Sequence, residues 1–408
     1  MILLSHPTGN ENVRQAALAL REAGLLHEFW TCLSWNSDGV IDRLLPSQIR
    51  QQLRRRSLPR ALRKVVRTVP VLELARLVAG FARFPYLSAH ETGLLSIDAV
   101  VRDLDHKVAT RLTNTKNIRL VYAYEDGAGE TFRAAKSRDI RRLYDLPIGY
   151  WRVAQGIYAE ERAREPQWAA TLTGTSDSEG KLTRKEEELQ LAEHVIVASS
   201  FTKRTLSAAA FPGSVTVVPY GAPSVTSDEI VVRSGPLRVL FVGSLGQRKG
   251  LSYLLAAVES LGPRVELTLL GRKVVENCPP LNDAVLRHRW IPSLGRAELL
   301  EEMQHHDVLV LPSLFEGFGL VILEAMSQGL LVITTPNTGG PDVIEEGLDG
   351  FIVPLRSAEA IAARLEALST NADLTRAMRV AAREKADKCH WTDYRRSIVR
   401  VAQEMLPE

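Results

Sequence analysis

Cysteine is scarce: Cys32, Cys278 and Cys389 stand far apart, form no CxxC pair and cannot make a disulfide framework, which suits a reducing cytoplasm. No run of eighteen apolar residues exists, so no segment reads as a membrane span. The chain opens into an apolar strand, Met1-Ile-Leu-Leu, followed at once by His6 and Pro7, without the pattern of a secretory signal. A G-x-G-x-x-G turn followed by a ribose-binding acid is missing from the first strand–helix unit, against a dinucleotide oxidoreductase. No Asp-x-Asp is placed as a metal site, since Asp103-Leu-Asp105 falls in a helix-like stretch and reads as a surface face. Internal repeats and low-complexity tracts are also lacking.

What is present is an ordinary globular composition, 45% hydrophobic and 24% charged, in a chain of 408 residues that is too long for one typical core. Short apolar, β-branched strands alternate with helical patterns. In the first half strands are predicted at 2–5, 27–34, 118–124, 195–199 and 216–219, with a helix at 12–23. In the second half they are predicted at 238–242, 266–270, 288–291, 308–311, 331–334 and 351–354, with helices at 252–260, 296–304 and 358–368. Such strands imply parallel sheets covered on both faces, and so an α/β protein of two Rossmann-like domains. The boundary falls in Pro223-Ser-Val-Thr-Ser-Asp-Glu and Arg233-Ser-Gly-Pro. That gives an amino-terminal domain over 1–222, a linker over 223–236 and a second domain over 237–388. Open parallel sheets bind ligands beyond the carboxyl ends of their strands, so the site is expected in a cleft between the domains.

The most informative segment is Glu316-Gly-Phe-Gly-Leu-Val-Ile-Leu-Glu324, between the strand at 308–311 and a helix of about 320–328. A helix start carries unpaired N–H groups and partial positive charge, and so favours phosphate. Gly317 and Gly319 would let the backbone approach it. Two carboxylates beside a phosphate repel it unless they grip hydroxyls, and a ribose on one side with a sugar on the other meets that demand. The ligand so described is a nucleotide-sugar.

This segment resembles the motif of the retaining GT-B glycosyltransferases of family 4, the group 1 glycosyltransferases. Its neighbours follow in the family's order: Val217-Val-Pro-Tyr-Gly221, Val239-Leu-Phe-Val-Gly-Ser-Leu-Gly-Gln-Arg-Lys-Gly250, Thr338-Gly-Gly-Pro-Asp-Val-Ile344 and Gly347-Leu-Asp-Gly-Phe-Ile-Val-Pro354. The resemblance covers roughly residues 190–360. It implies that Lys249 binds phosphate, that Ser244 stands where the family has an arginine, and that Arg248 replaces that charge. Glu316 would hold the donor sugar, Glu324 the ribose, and the N–H groups of Gly319, Leu320 and Val321, beside Phe318, the diphosphate. Gly271, Arg272, Trp290 and Ile291 would lie near base and ribose. The resemblance further implies transfer without a metal or cofactor, with the nucleotide-diphosphate-sugar as co-substrate, and a final helix over 389–408 that crosses back to the first domain.

The acceptor side is less legible. Gly9, in Thr8-Gly9-Asn10, stands where the family often has a glycine-rich turn; it approaches the phosphate or donor sugar, or is an ordinary turn with Asn10 capping. Relatives often carry a histidine in this part of the first domain, and none follows the strand at 118–124. Glu125 and Asp126 stand there instead, either orienting the acceptor hydroxyl or capping the next helix. Residues 143–152 line an acceptor groove or form core and turn, and His6 contacts acceptor or is structural. A basic helical insertion of the first domain is expected over about 43–87, where from Arg43 to Arg83 eleven basic residues face one acid, Glu73, with apolar residues interleaved at partly helical spacing. An amphipathic helix pair on an anionic membrane surface, or a solvated basic face, follows from that asymmetry. Nucleic acid is not expected, since no binding motif accompanies the charge. The expected function is therefore transfer of a sugar to a glycan or lipid-linked acceptor in cell-surface polysaccharide synthesis, in the cytoplasm or on the inner face of its membrane. A nucleotide-sugar epimerase or hydrolase, or a non-catalytic membrane scaffold, are the alternatives.

Overall fold

The computed structural model describes residues 1–406 except 38, 40, 41, 44, 83, 176, 228 and 231–233. Arg83, Asp228 and Arg233, named above, lie outside the described residues. Two parallel sheets organise the chain. β1 (Ile2–Ser5), β2 (Leu26–Thr31), β3 (Val66–Thr68), β4 (Leu120–Tyr124), β5 (Arg141–Leu146), β6 (His194–Val197) and β7 (Ser214–Val217) form a seven-stranded sheet in the order β3-β2-β1-β4-β5-β6-β7. β8 (Leu237–Val242), β9 (Val265–Leu270), β10 (Arg289–Ile291), β11 (Val308–Leu311), β12 (Leu331–Thr334) and β13 (Gly350–Ile352) form a six-stranded sheet in the order β10-β9-β8-β11-β12-β13.

The strand orders locate the ligand crevices. In the first sheet the chain winds outward from β1 to β3, then returns to lay β4 on β1's other side; in the second it winds from β8 to β10, then lays β11 on β8's other side. At such a reversal the flanking loops part and leave a crevice at the carboxyl ends of the strands. The reversals therefore put the loops after β1, β4, β8 and β11 at the crevices.

Strands buried on both faces explain the apolar runs. β4, β11 and β12 are buried at every position. Helix Trp391–Met405 buries Tyr394, Ile398, Val401 and Ala402, at helical spacing, in the core that also holds Val13, Ala16, Ala17 and Leu20 of helix Glu11–Glu22. Each buried aliphatic side chain there contributes about 1.5–3 kcal/mol. Because this helix follows the second sheet in sequence, it ties the two halves together, as does Ala222 N–H donating to Cys389 C=O at 2.7 Å. No described helix is long and apolar enough to cross a membrane.

Two local expectations need correction, and one segment gains a strand. The basic 43–83 stretch does hold two helices, Ser47–Arg54 and Pro70–Phe81, but Val66–Thr68 between them is the edge strand β3 rather than helix. Its arginines are also partly neutralised within the fold, Arg54 by Asp42 at 2.7 Å and Arg76 by Glu73 at 2.7 Å. Residues 141–146 form β5 because Leu143, Tyr144, Asp145 and Leu146 are all buried, a run interrupted in sequence by the charge of Asp145. Asp105 is no surface residue. It is buried on helix Ile97–Thr113 and accepts from Glu130 N at 2.8 Å and Thr131 N at 2.9 Å, capping the next helix.

Candidate active site

The site is built where β8 and β11 diverge. After β8 the chain makes the turn 243–250, whose last residues, Gln247–Lys249, form one 3-10 turn. Gly250 closes it at φ +70°, and a Cβ there would lie 2.0 Å from Pro312 C=O, so the turn abuts the loop after β11 too closely for any side chain. Leu314 N–H donates to Arg248 C=O at 2.9 Å, fixing one loop to the other. Arg248 Nη1 then donates to Phe315 C=O at 3.0 Å and to Glu316 Oε2 at 3.1 Å, and Lys249 Nζ pairs with the same carboxylate oxygen. Two cations thus converge on one oxygen at the mouth of the second crevice. Burial alone would raise the Glu316 carboxyl, but Lys249 and Arg248 outweigh it and hold it below the usual range. Burial pushes the Lys249 ammonium down while Glu316 resists.

Glu324 sits in helix Val321–Ser327, which has two turns, so its amide field is small and the cations carry most of the positive potential. Burial raises the Glu324 carboxyl, with Arg296 opposing and Glu11 adding. Arg296, which the sequence reading missed, lies 3.6 Å from Glu324 and 3.2 Å from Glu11 of the first domain, bridging the cleft. It begins helix Arg296–Met303, where no motif marks it.

The first domain faces this arrangement across a cavity of about 310 Å³ lined by Glu125, Trp151, Tyr158, Asp177 and Lys185 together with Arg248 and Phe315. Burial pushes the Glu125 carboxyl up to about 7, against the pull of Lys185 at 3.7 Å. Asp126 is not in the cavity wall. Its carboxylate faces Arg184 at 3.8 Å, Lys185 at 3.9 Å and Lys181 at 4.0 Å, within an ionic cluster. Neither Glu125 nor Asp126 caps helix Gly129–Lys136, because Glu188 accepts from Ala128 N and Gly129 N, both at 3.2 Å, and Asp105 takes the next two. Ile148, Gly149 and Trp151 of the 143–152 segment reach the cavity, while Leu143, Tyr144 and Leu146 belong to the core.

Several expected donor contacts are placed otherwise. Gly317 is glycine because a Cβ would lie 1.8 Å from Pro147 C=O, so the close approach it permits is to the first domain. Its carbonyl accepts from Ser199 Oγ and, at 3.0 Å, from Thr202 Oγ1. Phe318 is buried against Tyr220, with ring centroids 5.2 Å apart, and works as core. Gly9 N–H is committed to His6 Nδ1 at 3.0 Å, so that amide is spent within the turn. His6 itself is structural: it also accepts from Thr8 N, packs on Tyr124, and is pushed down to about 3 by burial. Asn10 makes no side-chain cap. Gly319, at φ +81°, and Leu320 and Val321 head the short helix; Ser244 and Arg272 are exposed at the rim. Trp290 donates Nε1–H to Gly271 C=O at 2.8 Å, and Gly271 N–H donates to Ile291 C=O at 2.9 Å, fixing the ends of β9 and β10 beside the crevice.

One residue on the far side of the cleft orients the cationic turn. Glu161, fully buried on first-domain helix Trp151–Arg164, accepts from Gln247 Nε2 at 2.7 Å, Tyr253 Oη at 2.8 Å and Arg356 Nε at 2.7 Å.

The family model of the group 1 glycosyl transferases matches residues 226–385, the segment that carries the cationic turn and both glutamates. An uncharacterised glycosyltransferase of Bacillus subtilis, YqgM, is 28% identical over 254 residues, 57% of this chain and 69% of the relative. The putative colanic acid biosynthesis glycosyltransferase WcaL of Salmonella typhimurium is 30% identical over 168 residues, 37% of this chain and 40% of the relative. Among solved structures, sucrose-phosphate synthase from Thermosynechococcus elongatus superposes with a TM-score of 0.71 at 19% identity, covering 99% of this chain and 98% of that one. Anabaena HepE in complex with UDP-glucose superposes with a TM-score of 0.64 at 16% identity, covering 99% of both chains. The fold is GT-B, and residues 226–385 match the group 1 glycosyl transferases.

Proposed function

We propose that this glycosyltransferase moves a sugar, with retention, from a nucleotide-diphosphate-sugar to a hydroxyl of a glycan or lipid-linked acceptor in cell-surface polysaccharide synthesis. The observation that carries the reading is the convergence of Arg248 and Lys249 on Glu316 Oε2 at the strand-order reversal. A diphosphate offers these cations better-matched oxygens than one carboxylate does, and its arrival would release Glu316 to hold the donor sugar's hydroxyls. Glu324 would hold the ribose, and the amides of Gly319, Leu320 and Val321 would add to the phosphate contacts. The acceptor would enter the cavity beside Glu125.

In a front-face transfer the acceptor oxygen bonds to the anomeric carbon as the bond to the phosphate oxygen breaks. The departing phosphate oxygen takes the acceptor proton. Arg248 and Lys249 stabilise the charge that develops on that phosphate, the role a metal ion would otherwise fill, so transfer is expected without one. Glu125 orients the acceptor hydroxyl in place of a histidine. No cofactor is required, the nucleotide-sugar being a co-substrate. WcaL's name and HepE's bound UDP-glucose support the class of product and donor. The chamber walled by both domains favours transfer over a nucleotide-sugar epimerase or hydrolase, which needs no acceptor space. The first domain would sit against an anionic membrane surface on the cytoplasmic side through the 43–83 region.

A thermal-shift panel of nucleotide-sugars, followed by radiolabelled donor with membrane extract, tests this. One donor should stabilise the chain, by about 2.7 kcal/mol at a hundredfold its dissociation constant, and pass label into lipid or polymer. Release of free sugar alone would sink the acceptor half of the reading.

A further inference from the structure

The described residues include twelve large hydrophobic side chains that stand exposed, and eight of them lie between Val71 and Ile97, from 43% to 79% exposed. Val71, Leu74, Val78 and Phe81 recur at helical spacing along Pro70–Phe81 and share one side of it. Phe84 and Tyr86 extend the patch, their rings 5.9 Å apart in an edge contact. Leu94 and Ile97 lead it to helix Ile97–Thr113, which packs on Pro70–Phe81. Apolar side chains grouped this way on a soluble fold mark a surface that meets something.

The charges nearby say what. Both acids of the described segment 70–97 are turned into the protein: Glu73 is buried between Arg56 at 2.5 Å and Arg76 at 2.7 Å, and Glu91 accepts from Ser178 N at 2.8 Å. The outward face thus carries no acid, while Arg60, Arg63, Lys64 and Arg67, all exposed, lead the chain into it. A second copy docking by the same face would set these cations against each other. An anionic lipid leaflet takes both the cations and the apolar side chains.

We infer that the 71–97 surface inserts shallowly into an anionic leaflet and seats the first domain there, with Arg60, Arg63, Lys64 and Arg67 at the headgroups. The same segment braces the cleft: His90 Nε2 lies 3.1 Å from Asp177 Oδ1, and Asp177 lines the cavity that holds Glu125 and Arg248. A lipid-linked acceptor anchored in that leaflet reaches the cavity along this segment, a consequence that rests on the transfer reading above.

Co-sedimentation of the full chain with vesicles of phosphatidylglycerol and phosphatidylcholine in equal parts, against phosphatidylcholine alone, tests the surface. Binding should require the anionic lipid. The double substitution Val78→Asp with Phe81→Asp should weaken it about tenfold or more, and Arg60→Glu with Lys64→Glu should do likewise. Both variants should keep the wild-type melting temperature and nucleotide-sugar binding, which separates lost docking from lost folding. Equal sedimentation of wild type and the aspartate variant overturns the proposal, as does a wild-type dimer that the aspartates make monomeric. A wild-type chain that binds vesicles but no nucleotide-sugar leaves this surface standing and counts against the transfer reading instead.

Discussion

Glu161→Gln is the most informative single change, because the side chain keeps its shape and loses the charge that three second-domain groups share. The carboxylate's two oxygens take Gln247 and Tyr253 on one and Arg356 on the other. An amide offers one acceptor oxygen, and its N–H groups would face donors. Arg356, 17% exposed at its side chain, would retain Glu160 at 3.1 Å, itself half in water, and the long bond to Ile157 C=O at 3.4 Å. Removing one partner of a buried charge pair costs about 3–5 kcal/mol, and the surviving contacts put this case near the lower end. All three bonds cross the cleft, so the cost falls on the closed arrangement of the domains more than on either core. About 3 kcal/mol is roughly a hundredfold shift between closed and open populations. Gln247 belongs to the turn that carries Arg248 and Lys249, so donor affinity should fall with it. Small-angle scattering should show a larger radius of gyration, and calorimetry with the donor selected by the thermal-shift panel should show weaker binding. A variant with unchanged scattering, unchanged affinity and unchanged turnover would refute the argument that Glu161 holds the cleft together.

Further outcomes follow from the same geometry. Lys249→Ala should lower kcat about 10²–10³-fold by removing one of the two cations on the departing phosphate, and single-turnover rates near wild type would exclude that role. Glu316→Gln should reduce turnover more than nucleotide affinity, since the free nucleotide does not present the donor sugar; the reverse pattern in calorimetry would move Glu316 off the sugar. Glu324→Ala should weaken nucleotide binding, and equal affinities would end the ribose assignment. Asp145 is pushed up to about 7 by burial, with only Tyr122 Oη, at 2.6 Å, and Tyr124 as donors to it. The folded chain therefore holds that proton more tightly than the unfolded chain, and the resulting stability is present below about pH 4 and is lost as pH rises towards 7. Asp145→Asn should flatten that decline and melt no lower than wild type at about pH 8, a result that thermal scans against pH can contradict.

The second crevice was largely legible in the sequence, and the first was not. Arg248, Lys249 and Glu316 belong to loops that leave adjacent strands, so an ordered set of short motifs is enough to bring them together. Glu125 was legible as a strand-end carboxylate, but its partners Lys185 and Asp177 come from some fifty to sixty residues further on, with no motif to announce them. Phe318 and Gly317 sat inside the motif and read as ligand contacts, yet both serve packing, because a motif does not reveal which of its faces meets the other domain. The strand at 66–68 was hidden by its basic surroundings, for an edge strand of three residues carries little periodicity.

By itself the order of residues determined two parallel sheets, a glutamate pair around a short helix and a basic, apolar stretch in the first half, since hydrophobic period and loop chemistry are local properties. Tertiary structure alone decided that Arg248 and Lys249 share one oxygen of Glu316, that Glu161 clamps the turn, and that Glu73 faces inward to leave an acid-free apolar surface. Those outcomes depend on which side chains meet across a sheet edge or a cleft, and distance along the chain carries no record of that.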